Sequence, residues 1–118
     1  MIIGTGVDIT EVSRLRRAIE KWDKEFLQKV FTRDELKHAK THSSLYQHLA
    51  GRFAAKEAIF KAMNVKELTW KDVEILSDKQ GRPIARIIND KIRKVDIHLS
   101  ISHVKNYAVA SAIITEKS

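Results

Sequence analysis

The stretch Leu45-Tyr46-Gln47-His48-Leu49-Ala50-Gly51-Arg52-Phe53-Ala54-Ala55-Lys56-Glu57-Ala58-Ile59-Phe60-Lys61-Ala62-Met63 decides how the rest of the chain is read. Leu45, Leu49, Phe53, Phe60 and Met63 recur at steps of three, four and seven, the spacing of one helical face. Ser44 precedes it and, with Gln47, makes the pattern of a capping box. The longest helix of the chain is expected here.

Upstream, Thr32 with Glu35 repeats the capping-box pattern and predicts a short helix. Asp23 is placed to cap another, carrying Phe26, Leu27 and Val30. Thr10 is placed to cap a helix over Glu11 to Lys21, with Val12, Leu15 and Ile19 on its apolar face. Ile2 to Ile9 reads as a strand, in which Gly4 and Gly6 mark a close backbone approach or a bend. Downstream the period changes to two. Val73, Ile75 and Leu76, the turn at 78–83, and Ile84 to Ile88 predict a hairpin. Ile97, Leu99 and Ile101 alternate with His98, Ser100 and Ser102, and Ala108 to Thr115 makes a final strand. The expected class is α+β: an N-terminal strand, a helical block and an antiparallel meander, in one domain spanning 1–118.

Composition narrows the function. The chain has 118 residues and no cysteine, which excludes a disulfide scaffold, a cysteine zinc ribbon and a thiol nucleophile. Its longest apolar run, Ala108 to Ile114, is interrupted by Ser111 and is too short to span a bilayer. Met1 to Gly6 carries no basic leader ahead of an apolar segment, so a cytoplasmic protein is expected, with no membrane partner. Lys plus Arg is 22 against 15 for Asp plus Glu, and the net charge of +7 points to an anionic partner.

Two segments carry candidate chemistry. Asp8 ends the first strand as a helix is about to begin, where it is either a first-turn acid favoured by the helix dipole or a carboxylate facing a cleft. In the long helix, Arg52 and Lys56 are four apart, as are Glu57 and Lys61. A solvated basic face and a surface ion pair account for them. The same residues also suit a metal ion on a polyphosphate, since Mg²⁺ takes one or two carboxylates plus phosphate oxygens and bases neutralise the rest. His98, Ser100 and Ser102 share one strand face, with His103 at the strand end. His98 and His103 point to opposite faces and do not make a metal site by themselves. No glycine-rich phosphate loop, dinucleotide fingerprint or zinc-protease helix is present.

Together these segments resemble a known family. Gly6-Val7-Asp8-Ile9-Thr10-Glu11-Val12 with Arg14, Phe31-Thr32 with Glu35-Leu36, Arg52-Phe53-Ala54-Ala55-Lys56-Glu57-Ala58 with Lys61-Ala62, Trp70 with Asp72-Val73-Glu74-Ile75, and Ser100-Ile101-Ser102-His103 with Tyr107-Ala108 occur in the order of holo-[acyl-carrier-protein] synthase. That is the short bacterial-type 4′-phosphopantetheinyl transferase, and the likeness runs from Gly4 to about Ile113.

The resemblance implies an enzyme of fatty acid biosynthesis. It would move the 4′-phosphopantetheine group of coenzyme A to a serine of acyl carrier protein, with Mg²⁺, releasing adenosine 3′,5′-bisphosphate. By the resemblance Asp8 and Glu57 are metal ligands and Lys61 is a catalytic residue on the pyrophosphate. Arg52, Lys56 and His103 are then coenzyme A-binding residues. Arg14, Arg17 and Lys21, with Lys24 beside them, would dock the acidic carrier protein. A water oriented by Asp34 or Glu35 would take the serine proton. The family is homotrimeric with inter-subunit sites, which implies a trimer core on the hairpin and last strands and His103 facing the neighbour's nucleotide. Phe60, Asn64 and Val104 depart from the family's usual small or hydroxyl residue, glycine and threonine. Two other readings use the same composition: a small basic nucleic-acid-binding module, which the 7% aromatic content and lack of a stacking motif disfavour, and an inert trimeric scaffold.

Overall fold

A computed structural model describes residues 1–118. The long helix forms as expected. Called α4, it spans Leu45–Met63 and is buried on most sides, through Leu49, Ala50, Ala54, Ala55, Ala58, Ile59 and Ala62. It stops at Asn64, whose left-handed backbone (φ 53°, ψ 45°) returns its amide to the Phe60 carbonyl at 2.9 Å. Asn64 thus provides the expected helix stop. Ser44 flanks the helix start, but its side chain makes no capping bond, and the Gln47 amide donates instead to the Lys105 carbonyl. The second expected capping box is therefore absent.

Three shorter helices precede it: α1 (Val12–Trp22), α2 (Lys24–Val30) and α3 (Arg33–Ala39). The Thr32 and Glu35 capping box at α3 is complete. Thr10 does not cap α1. It remains in the strand and donates its hydroxyl to Asp8 at 3.2 Å, while the Val12 amide goes to the Asn106 carbonyl. Asp23 sits between α1 and α2 with φ 45° and makes no side-chain cap.

The strands divide into two antiparallel sheets where one meander was expected. β1 (Ile2–Glu11), β5 (Tyr107–Glu116) and β4 (Val95–His103) form one sheet in the order β1-β5-β4. β2 (Val73–Ser77) and β3 (Pro83–Ile87) form the predicted hairpin as a separate pair. The register places Asp8 opposite Ala110 and Glu11 opposite Tyr107. One core lies between α4 and the sheets, around Ala54, Ala58, Ile75, Ala110, Ala112 and Ile114. A second joins α1 and α2 to the start of α4 through Leu15, Ile19, Val30, Phe31 and Leu49.

The contact of β1 with α4 is the one that positions the site. A Cβ at Gly4 would collide with the Ala62 carbonyl, and one at Gly6 with the Ala58 carbonyl. Glycine is needed at both because the strand backbone rests directly on the helix backbone. Two residues beyond Gly6, Asp8 is thereby brought against the next turns of α4.

Candidate active site

Asp8 and Glu57 face one cavity of about 610 Å³, which Thr10, Arg14, Lys61 and Tyr107 also line. β1 supplies Asp8. The α4 face bearing Phe53, Glu57 and Lys61, at successive steps of four, supplies the other wall. The Lys61 ammonium lies 3.2 Å from Asp8 Oδ1 and donates to the Val7 carbonyl at 3.1 Å. Phe53 is held by stacking on Trp70, with ring centroids 5.0 Å apart, and Phe60 meets the same indole edge-on at 4.9 Å. Phe60 therefore serves the aromatic packing behind this wall.

Burial pushes the Glu57 carboxyl above its ordinary value, the neighbouring Asp8 charge adds to that, and Lys61 opposes both. Two acids thus line one cavity, beside Lys61. Their oxygens, beside open space, are a donor set that fits Mg²⁺ together with phosphate oxygens.

Arg52 and Lys56 lie on a different side of α4, and their fates diverge. Lys56 is fully buried. Its ammonium donates to the Val30 carbonyl at 2.7 Å, Glu35 Oε1 at 2.7 Å and the Trp70 carbonyl at 2.9 Å. All three donors are used inside the core, so its expected role as a coenzyme A-binding residue is corrected to a structural one. Arg52 is half-buried. Its Nη2 donates to Ser77 Oγ at 2.8 Å, while its Nε is buried without a partner.

Glu35 is corrected in the same way. One carboxylate oxygen accepts from the Thr32 amide and Lys56, and the other accepts from the Ile75 amide at 2.7 Å. It is a buried clamp joining α3, α4 and β2, and no water-orienting acid. Asp34 is exposed on α3, and it does not line the cavity. His103 is exposed at the end of β4 and also stands outside the cavity lining. Burial first, and then Arg52 and the nearby histidines, push the His48 imidazole down to about 3 and keep it neutral near pH 7.

Arg14, Arg17 and Lys21 are exposed along α1 at steps of three and four. Arg14 reaches the cavity edge, and Arg17 lies 3.9 Å from Glu11. Phe26 and Tyr107 also line the cavity, and neither was predicted. Phe53 had a readable signal, being four residues before Glu57. Tyr107 stands in the Tyr107-Ala108 segment of the family likeness, but nothing local places it in this cavity, where the pairing of β1 with β5 sets it opposite Glu11.

Residues 4–112 match the family model described as the 4'-phosphopantetheinyl transferase superfamily. The holo-[acyl-carrier-protein] synthase of Thermodesulfovibrio yellowstonii is 45% identical, over 98% of this chain and 100% of its own. That of Halothermothrix orenii is 43% identical, over 96% and 97%. The chain belongs to the holo-[acyl-carrier-protein] synthase family. It is accordingly a phosphopantetheinyl transferase. The transferase also superposes on the crystal structure of the Bacillus anthracis holo-(acyl-carrier-protein) synthase in complex with CoA (3',5'-ADP), at a TM-score of 0.86, 37% identity and 99% coverage of both chains. No helix of the transferase is long and apolar enough to cross a membrane.

Proposed function

We propose that this single-domain chain transfers 4′-phosphopantetheine from coenzyme A to a serine of apo-acyl carrier protein in the cytoplasm, in support of fatty acid biosynthesis. The observation that carries the reading is the convergence of Asp8, Glu57 and Lys61 on one cavity. Asp8 and Glu57 would hold Mg²⁺, which when bound neutralises diphosphate charge and steadies the leaving bisphosphate. Lys61 keeps a third donor for a phosphate oxygen after its two contacts to β1. Arg52 and His103, which stand outside this cavity, would serve the nucleotide end of coenzyme A.

In the transfer, the serine oxygen forms a bond to the phosphorus that carries the pantetheine arm. The bond from that phosphorus to the bridging oxygen breaks, and adenosine 3′,5′-bisphosphate leaves with the electron pair. The serine proton passes to water, since neither Asp34 nor Glu35 reaches the cavity. Such a transfer depends on positioning and charge neutralisation more than on covalent help. The exposed bases Arg14, Arg17 and Lys21 favour docking of an acidic carrier, with salt-sensitive association.

A homotrimer with sites between subunits is part of the proposal. Its support is an exposed apolar face on β1 and β5, where Val7 is 60%, Ile9 66% and Ile113 41% accessible. The last strands, expected with the hairpin to form the trimer core, belong to this sheet.

The test is an intact-mass assay of apo carrier protein with coenzyme A. A gain of one phosphopantetheine that needs Mg²⁺ and is lost with Asp8→Ala or Glu57→Ala is expected. No gain, or a gain indifferent to both substitutions, overturns the reading.

A further inference from the structure

The turn between α3 and α4 gathers three histidines away from the acid cavity. His38 lies in the last turn of α3, His42 in the link and His48 in the first turns of α4. The link is folded back on α3: the Thr41 amide and hydroxyl both donate to the His38 carbonyl, and the His42 amide donates to the Ala39 carbonyl. The His48 amide donates to the Ser44 carbonyl at 3.0 Å. Backbone hydrogen bonds therefore fix all three positions before any ligand arrives.

One ligand nitrogen from each ring falls within 4.8 Å of the other two. His38 Nε2 and His42 Nε2 are 3.4 Å apart. That is long for a hydrogen bond between nitrogens. It matches two nitrogens on one tetrahedral ion, which at 2.0–2.1 Å from the metal stand about 3.3–3.4 Å apart. The His42 and His48 rings lie face to face, with centroids 4.0 Å apart, so the exposed His42 ring must turn out of this stack to share an ion with His48. The cluster grades from buried His48 through half-buried His38 to exposed His42, so an ion would be anchored on the inside and open to solvent on the outside. The nearby Arg52 guanidinium is tied to Ser77 Oγ. Neutral imidazoles add no charge of their own to a cation held there.

We infer that His38, His42 and His48 form a three-imidazole site for Zn²⁺, with a fourth position left to water. Imidazole donors favour zinc and its neighbours over Mg²⁺, so this site and the acid pair are selective for different ions. A bound ion would tie α3 to α4 across residues 40–44.

The test uses untagged, chelator-stripped full-length protein in excess Mg²⁺. Zn²⁺ is titrated against a chromophoric chelator, and Co²⁺ serves as a spectroscopic probe. The expected result is one Zn²⁺ per chain, visible absorption of four-coordinate Co²⁺, and a rise in melting temperature with Zn²⁺. His42→Ala, at an exposed position, should fold normally, weaken Zn²⁺ by at least about tenfold and abolish the Co²⁺ band. Asp8→Asn should leave both readouts intact. Equal Zn²⁺ affinity in wild type and His42→Ala, or loss of the zinc equivalent in Asp8→Asn, overturns the assignment.

Discussion

Lys56 and Lys61 sit five residues apart on one helix and do opposite things. Lys56 is enclosed with Glu35 at 2.7 Å and holds three elements together. Burial pulls its ammonium below the ordinary value, and the Glu35 charge opposes that. Lys61 is exposed, with its head at the cavity. Lys56→Ala leaves a buried carboxylate unpaired and should lower unfolding free energy by about 3–5 kcal/mol in denaturant titration. Lys61→Ala should change stability by no more than about 1 kcal/mol, yet depress turnover in the carrier-protein assay by far more. A steep stability loss with Lys61→Ala would reduce it to an ordinary ion-pair partner. The spacing of these charges was legible in the sequence, and so was the Asp8 and Glu57 pairing through the family likeness. Which charged face of α4 is enclosed was not, because that depends on where β2 and the Trp70 segment fold back over it.

Among elements, the seam between β1 and α4 has least room to give. Gly6→Ala would drive a methyl into the Ala58 carbonyl. Overpacking of this kind costs about 1–3 kcal/mol or more. Melting temperature should fall, and activity should fall with it, because Asp8 is carried on the same strand. Retention of both would mean that the strand can lift without disturbing the acid.

The 3-10 turn Trp70–Asp72 has a pH signature of its own. Burial alone would push the Asp72 carboxyl up. Hydrogen bonds from the Thr69 amide and hydroxyl and from Asn89 outweigh that and hold it below its ordinary 3.8. The unfolded chain then binds this proton first as pH falls, so the stabilisation is present above 3.8 and lost as pH drops through the lower folded value. Asp72→Asn should flatten the acid limb of a stability-against-pH curve; an unchanged limb would contradict this origin. The strands themselves were readable from their alternation, but not their partners. Period two says which face a side chain takes and nothing about which strand lies alongside, so the joining of β1 to β5 and the isolation of the hairpin had no local signal.

For the whole molecule, one side of the three-stranded sheet packs on α4 and the other shows Val7, Ile9, Val109 and Ile113 to solvent. Such a face on so small a chain predicts self-association. Ile113→Glu should convert the assembly to monomer in sedimentation analysis while leaving the far-ultraviolet circular dichroism unchanged. A wild-type protein that is already monomeric at assay concentration would remove the subunit-shared site from the account.

The pairing of Ile2 with Thr115 and of Asp8 with Ala110 has a bearing on biosynthesis. β1 hydrogen-bonds to a strand that is synthesised only after the four helices and the hairpin. Until then the Asp8 wall of the cavity lacks a neighbour on one side. The helices can collapse early around their own core, but the acid that β1 carries gains its final support only once β5 has been made. The Asp8 wall of the cavity should therefore be completed later than the helical core.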